Sequence, residues 1–173
     1  MINHAEAEIF SSTHREYTMM KKTLLGTLLG MSLVSASASA HIEQSEPLQS
    51  LRQSYFALFG MTFAPMGDMV KGKMEWDDAL FSTWANDLNH AAQFGVERGF
   101  APGSDKGTTR AKANIWSNMD DFQSKLDDFR AAAAALAETA ADGDPAASRE
   151  QFIATGGTCK ACHDEYKSKD YLY

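Results

Sequence analysis

The sequence has only two cysteines among 173 residues, no long apolar run and fewer basic than acidic side chains. The apolar stretch Leu24–Val34 is too short to cross a bilayer as a helix, which needs about 20 residues. The 23 acidic against 16 basic side chains give a net charge of −7, which argues against nucleic acid or an anionic membrane as a partner. No segment alternates between apolar and polar residues for long enough to predict a strand.

Both cysteines belong to the motif Cys159–His163, which has the form Cys-x-x-Cys-His. On a helix, positions i, i+3 and i+4 lie on one side within one turn. The thiols of Cys159 and Cys162 can therefore add to two vinyl groups at one edge of a porphyrin while the imidazole of His163 reaches the iron. The motif predicts one covalently attached haem c, and it leaves no cysteine for a disulfide.

Two other functions are known for such cysteine pairs, a redox dithiol and half of a zinc site. A zinc site takes about four ligands, and the sequence offers no second cluster of cysteine and histidine. A thioredoxin-like dithiol is expected beside a βαβ pattern, which is absent from the sequence. Haem attachment is therefore the favoured interpretation.

The N-terminal part has the pattern of a secretory signal peptide. Met19–Lys22 forms a short basic start, Leu24–Val34 an apolar centre and Ser35–Ala40 a run of small residues that ends in an Ala-x-Ala cleavage site. A membrane anchor is the alternative for the same segment. Cleavage after Ala40 and export to a bacterial periplasm agree with haem carried on thiols.

These signals divide the chain into three parts. Residues 1–18 make a poor basic start and are interpreted as a mis-assigned N-terminal extension. Residues 19–40 form the signal peptide, and residues 41–173 are long enough for one domain.

The domain is expected to be helical throughout. A long helix, the third of the domain in chain order, is expected to start at Asn114 and to end at Asp142-Gly143. Its apolar residues recur at alternating spacings of four and three, which is typical of a helix with one apolar seam. Asp144 and Pro145 are typical of an N-cap and first position, and they open a last helix that carries the haem motif. The seam of the third helix comprises Ile115, Met119, Phe122, Leu126, Phe129, Ala133, Leu136 and Ala140.

Two more helices precede a loop that contains Pro102. The second is expected from Trp76 to about Phe94. Pro65 lies within the first and can kink it. Met61 belongs to the same helix and is expected, like Met66 and Met69, to fill the core. The apolar stripe of the first helix comprises Leu48, Leu51, Tyr55, Leu58, Phe59, Thr62, Met66 and Met69. The sequence therefore predicts an all-α, antiparallel up-down-up-down four-helix bundle with covalent haem on its last helix.

A haem motif on the last helix of an exported four-helix bundle resembles the cytochrome c′ family, the class II c-type cytochromes. The resemblance covers residues 41–173, and its most specific part is Cys159–His163 with the following Asp164, Tyr166 and Lys167. Further matching elements are Leu51-Arg52-Gln53, Met69-Val70-Lys71-Gly72, Phe100 with Pro102-Gly103, and Ile115-Trp116-Ser117. The resemblance implies a periplasmic, non-enzymatic monohaem protein that forms homodimers and has a redox partner yet to be identified.

The axial ligands decide between gas binding and simple electron transfer. No methionine follows His163, so the chain is not a class I electron-transfer cytochrome, whose methionine ligand lies downstream of the motif. Six-coordinate relatives with the same bundle have a first-helix methionine shortly after the arginine, but Arg52–Ala57 contains none. The resemblance instead places Phe56 over the open iron face and implies five-coordinate, high-spin iron ligated by His163.

An apolar wall offers no hydrogen bond to dioxygen but admits nitric oxide and carbon monoxide if Phe56 moves. The resemblance also implies that Arg52 and Gln53 lie near the haem propionates and that Phe100 packs at the haem edge. Lys167 is expected one helical turn after His163 and on the same face, which places its charge near the proximal imidazole. The favoured function is binding of small diatomic gases, with electron transfer as a further possibility. The alternative is a six-coordinate, low-spin electron-transfer cytochrome of the same bundle. A catalytic haem is disfavoured because the distal helix has no histidine or arginine placed to cleave an O–O bond.

Overall fold

The computed structural model describes residues 46–172, and within them four long helices form the predicted antiparallel bundle. The helices are α1 (Pro47–Val70), α2 (Asp78–Ala92), the short α3 (Asn114–Ser117), α4 (Met119–Ala141) and α5 (Pro145–Tyr166). Helix α4 packs against both α2 and α5, and α1 packs against α2. The strands are β1 (Thr109–Ala111) and β2 (Lys167–Leu172), and a 3₁₀ helix spans Val96–Phe100.

Short capping signals set the ends of the helices. The carboxylate of Asp144 accepts hydrogen bonds from the backbone N–H groups of Ala146 and Ala147, and Pro145 opens α5 as predicted. Asp77 accepts from the N–H of Leu80 at 2.9 Å, so α2 begins after this cap and not at Trp76.

The predicted seam of α4 is confirmed and lies at the centre of the bundle. Phe129, Ala133, Leu136 and Ala140 belong to the main core cluster, which also contains residues from α1, α2 and α5. Phe122 and Leu126 belong to a second core cluster at one end of the bundle, together with Val96, Phe100, Ile115 and Tyr166. Half-buried Cys159 packs against the main core cluster, and half-buried Cys162 packs against the second.

The third helix is not continuous from Asn114, as the spacing predicted, because it breaks at Asn118. The Asn118 backbone has φ −132° and ψ 45°, and its side-chain amide donates to the carbonyl of Asn114 at 2.9 Å. Asparagine competes in this way with helical backbone hydrogen bonds. Asp120 and Asp121 then favour the start of α4, since carboxylates stabilise a helix N-terminus.

The expectation that the chain has no strands is wrong for two short segments. Strand β2 pairs antiparallel with β1, with Thr109 opposite Leu172 and Ala111 opposite Lys167. Segments this short show no useful alternation, and the partner strand lies far away in the sequence. The pairing extends the fold beyond the last helix.

The first helix is less buried than its apolar stripe suggests. Met66 and Met69 lie in the main core cluster as predicted, but Met61 is 72% exposed, so the expectation that it fills the core is wrong. Leu51 and Leu58, on the N-terminal half of α1, are also exposed. Helix α1 continues through Pro65 without a break.

The predicted extension, signal peptide and cleavage site after Ala40 lie outside the described residues. Within residues 46–172, none of the helices combines the length and apolar character needed to cross a membrane.

Candidate functional site

A cavity of about 440 Å³ lies between α1, α4 and α5, at the boundary of the two core clusters. Its volume falls in the range of sites for drug-sized ligands, about 300–1,000 Å³. All eight residues predicted for the site line it: Arg52, Gln53, Phe56, Phe100, Cys159, Cys162, His163 and Lys167. The structure thus brings together side chains that are more than one hundred residues apart.

One turn near the end of α5 presents the three groups of the haem motif to this cavity. Cys159, Cys162 and His163 are all helical, as their spacing predicted. Burial raises the pKa of both thiols, so they are protonated near neutral pH before any reaction. The hydroxyl of Thr158 donates to the carbonyl of Thr155 at 2.8 Å and fixes the turn that precedes Cys159.

The imidazole of His163 lies at the open side of the cavity. The residue as a whole is exposed, but its ring reaches partly into the cavity. This burial lowers the pKa of His163, and the positive charges of Lys167 and Arg110 lower it further, against the opposing effect of Asp164. The neutral form that results is the one that ligates metals.

Lys167 is placed differently from the sequence expectation of a helical residue one turn after His163. Its backbone is extended, with φ −111° and ψ 127°, and it begins β2. Its N–H donates to the carbonyl of His163, which keeps the two residues adjacent even though the helix has ended.

Arg52 supplies a buried positive charge at the opposite wall. Its side chain is 3% exposed, and Nη1 donates to the carbonyls of Gly99 at 2.8 Å and Ser104 at 2.9 Å. The guanidinium carbon lies 5.3 Å from the ring centre of Phe100 and 5.6 Å from that of Trp116. Burial lowers the pKa of Arg52, but an arginine remains charged at neutral pH.

Nη2 of Arg52 has no hydrogen-bond partner among the described residues, although it is buried. A buried charged donor without a partner is costly, so a native structure with one usually has an acceptor that is not part of the chain. Arg52 lines the cavity, and the acceptor is therefore expected there.

Aromatic side chains form most of the remaining wall. Phe56 is 40% exposed and lies edge-on to Phe59 and Phe100, with ring centres 5.8 and 6.5 Å apart. Phe100 is buried and packs against Phe122 at 4.7 Å. Gln53 lies one position after Arg52 and is exposed at the rim.

The residues present fit a haem. A flat apolar ring matches the aromatic walls, the two thiols lie on one helix turn beside a neutral imidazole, and the unpartnered Arg52 donor suits a carboxylate. Among the described residues that line the cavity, His163 is the one histidine, none is methionine and none is acidic.

Other cavity residues were not identified from the sequence as site residues, among them Arg110, Lys125 and Tyr171. Arg110 and Tyr171 lie on the paired strands, which the pattern did not predict. Lys125 belongs to α4, where it forms an ion pair with Asp121 at 3.7 Å, and a lysine on a helical surface gives no distinct signal.

Comparisons with known proteins agree with this geometry. The sequence profile of the cytochrome c′ family matches residues 48–167. Cytochrome c′ of Cereibacter sphaeroides is 35% identical over 87% of this chain and 99% of its own length, and that of Rhodospirillum rubrum is 45% identical over 78% and 86%.

Solved structures of cytochrome c′ proteins are also similar to this chain. Cytochrome c prime from Shewanella frigidimarina has a TM-score of 0.68 and 42% identity, covering 70% of this chain and 94% of its own. The nitric oxide complex of a variant of cytochrome c prime from Alcaligenes xylosoxidans has a TM-score of 0.66 and 31% identity, covering 72% and 96%.

The Tyr166 hydroxyl donates a hydrogen bond to the carboxylate of Asp121 at 2.5 Å, and this bond should affect how the stability of the protein changes at alkaline pH. Burial and this bond raise the pKa of Tyr166 to about 12, whereas an unfolded tyrosine ionises near pH 10. The unfolded chain therefore loses this proton first, and the free energy of unfolding should fall as the pH rises from about 10 to about 12. Tyr166→Phe should remove this pH dependence, and below pH 10 it should lower the free energy of unfolding by about 1 kcal/mol. Urea unfolding at several pH values measures both, and equal pH slopes in the two proteins would contradict the assignment.

Proposed function

Because this chain belongs to the cytochrome c′ family, we propose that it is a periplasmic monohaem c-type cytochrome that binds small diatomic gases. In the proposed site Cys159 and Cys162 would hold the porphyrin through two thioethers, and His163 would ligate the iron. The bound haem would supply an iron centre that can take a gas molecule as a further ligand. The observation that carries the proposal is the cavity, which presents these three groups to apolar walls.

The described wall opposite the haem motif offers no axial ligand. Phe56, Phe59 and Gly60 of α1 line that part of the cavity, and carbon and hydrogen atoms cannot ligate iron. This composition supports five-coordinate iron with Phe56 beside the open position. It disfavours the six-coordinate alternative, which needs a methionine or second histidine there.

The same wall supports selectivity for nitric oxide and carbon monoxide. It gives bound dioxygen no hydrogen bond, and it admits small neutral molecules more readily than larger ones. Phe56 is exposed enough to move, because its packing against Phe59 and Phe100 leaves 40% of its surface accessible.

Arg52, Gln53 and Phe100 complete the proposed site. The unpartnered Nη2 of Arg52 would donate to a propionate, and exposed Gln53 lies where a second polar contact can form. Buried Phe100 would pack at the haem edge and holds the Arg52 guanidinium over its ring.

We also propose that two copies of the chain pair through α1 and α2. Leu51, Leu58 and Met61 share one face of α1, since they are spaced by seven and three, and they are 37%, 45% and 72% exposed. Leu80 on α2 and Phe94 just after it are exposed as well. Exposed apolar side chains concentrated on one pair of helices are typical of an association surface.

Carbon monoxide tests the coordination state. The ferrous protein should show a high-spin absorption spectrum that changes when the gas is added, because one coordination position is open. An unresponsive low-spin spectrum would establish the six-coordinate, electron-transfer alternative instead.

Phe56→Ala should increase the rate of carbon monoxide binding at least about tenfold, which requires the barrier to fall by only about 1.4 kcal/mol. Flash photolysis measures this rate. Ile153→Ala is the matched control, since it shortens an apolar side chain that is 66% exposed on α5 and does not line the cavity. Equal rates in the wild type and Phe56→Ala would show that Phe56 is not the barrier.

Native mass spectrometry tests the dimer and also reports the haem mass. The wild type should give two chains per particle, and Leu58→Glu should give one, because a buried unpaired carboxylate is unfavourable. Ile153→Glu places the same charge on the far helix α5 and should leave the dimer intact. A monomeric wild type would refute the pairing.

A further inference from the structure

The last residue of α5 is a buried tyrosine that borders the cavity and has a carboxylate beside it. Tyr166 is 4% exposed, and its hydroxyl donates to the carboxylate of Asp121 at 2.5 Å. We propose that Tyr166 is a one-electron donor to the bound haem. When hydrogen peroxide oxidises the haem, Tyr166 gives up an electron and its hydroxyl proton passes to Asp121, which spares the porphyrin. The inference rests on the proposed haem site.

Tyr166 lies where an electron has a short path to the bound haem. It follows Cys162 by four residues on α5, so the two side chains lie on one side of the helix, one turn apart. Cys162 also packs against the second core cluster, to which Tyr166 belongs. The Tyr166 ring stands perpendicular to that of Phe122, with ring centres 5.4 Å apart, and this packing holds it in place. A porphyrin attached through Cys162 would therefore lie beside the Tyr166 ring.

The Asp121 carboxylate is placed to take the proton that an oxidised phenol must release. Burial and the hydrogen bond raise the pKa of Tyr166 to about 12, so the hydroxyl keeps its proton at neutral pH until the electron leaves. The ammonium group of Lys125 lies 3.7 Å from the same carboxylate oxygen and helps to hold it in position. The Asp121 side chain is 56% exposed, so the proton can pass on to water.

Other aromatic side chains near the cavity lack this arrangement. The indole N–H of Trp116 donates to the carbonyl of Ala101, which is a poor proton acceptor, and the guanidinium carbon of Arg52 lies 5.6 Å from the Trp116 ring centre. The guanidinium carbon of Arg110 lies 5.9 Å from the ring centre of Tyr171. A positive charge beside a ring opposes the removal of an electron from it. Within residues 46–172, Tyr166 is the tyrosine whose hydroxyl donates to a carboxylate.

Electrons and protons balance with hydrogen peroxide as the oxidant. Cleavage of its O–O bond takes two electrons, of which the haem supplies one and Tyr166 supplies the other. One peroxide oxygen leaves as water with both peroxide protons, and the other oxygen stays with the oxidised haem. The hydroxyl proton of Tyr166 moves to Asp121. Tyr166 is left as a neutral phenoxyl radical, and Asp121 is left as a neutral carboxylic acid.

Electron paramagnetic resonance of the ferric holoprotein, frozen at intervals after hydrogen peroxide is added, detects such a radical. The wild type should show a tyrosyl signal, and Tyr166→Phe should lose it. A chain with Tyr55→Phe, Tyr171→Phe and Tyr173→Phe together retains Tyr166 as the only tyrosine in residues 41–173 and should keep the signal. This second chain tests the proposal without altering Tyr166.

Asp121→Asn tests the proton step. The asparagine side chain can still accept the hydrogen bond but cannot take the proton, so the tyrosyl signal should form more slowly and reach a lower yield. Asp120→Asn is the matched control, since it removes an equal charge from the preceding, exposed residue of the same helix turn and should leave the signal unchanged.

Two further measurements report where the oxidation goes. Loss of the haem absorption after peroxide addition measures damage to the porphyrin, and it should be at least about threefold faster in Tyr166→Phe than in the wild type. Mass spectrometry of proteolytic peptides should find oxidative modification at Tyr166 in the wild type. Asp120→Asn should match the wild type in both measurements.

Several outcomes overturn the proposal. One is a wild type without a tyrosyl signal, whether or not its haem is damaged, and another is a signal that persists in Tyr166→Phe or disappears from the chain that retains Tyr166 alone. Equal signals in Asp121→Asn and Asp120→Asn would show that Asp121 is not the acceptor. If the same protein responds to carbon monoxide, each of these results leaves the proposed function standing. A low-spin protein that does not respond to carbon monoxide overturns the proposed function and this inference together.

Discussion

The structure depends on how one turn of α5 meets the gap between two core clusters. Cys159 packs against the main core cluster, and Cys162 packs against the second. The helical spacing that places both thiols on one side also turns His163 toward the cavity between the clusters. Apolar packing on either side of the motif therefore both stabilises the bundle and shapes the site, so the fold and the cavity are set by the same residues.

Arg52, on the opposite wall of the cavity, depends on hydrogen-bond acceptors from another part of the chain. A charge buried to 3% exposure needs acceptors, and two of them come from the loop that carries Gly99 and Ser104. The loop can approach because position 99 is glycine: an added Cβ would lie 2.8 Å from Cβ of Arg52. Nη2 of Arg52, a residue that lines the cavity, has no hydrogen-bond partner in the described chain. Removing the expected acceptor would leave the full cost of burying that donor.

The sequence predicted the helices and the eight cavity residues well, and the reasons are local. Heptad spacing identified the α4 seam, Asp144-Pro145 identified the start of α5, and the motif Cys159–His163 fixed the site. The break at Asn118 was missed because it arises from a side-chain hydrogen bond that competes with the helix. The strands were missed because β2 pairs with β1, which lies far earlier in the sequence, and accepts hydrogen bonds from Arg110 on that strand. The role of Phe56 came from family resemblance, since periodicity alone marks it as an ordinary core residue, whereas that of Lys167 came from its expected position one helical turn after His163.

Charge at the cavity differs from charge over the whole chain. The protein carries a net charge of −7, yet the charged side chains that line the described cavity are all basic: Arg52, Arg110, Lys125 and Lys167. Lys125 is paired with Asp121, Arg110 is engaged by carbonyls of β2, and Arg52 has one donor available. Burial lowers the pKa of His163, and the positive charges of Lys167 and Arg110 lower it further, against the opposing effect of Asp164. Protonation of that imidazole would abolish its capacity to bind a metal, so burial and the local positive charge together favour the neutral, metal-binding form in a protein whose overall charge would favour the opposite.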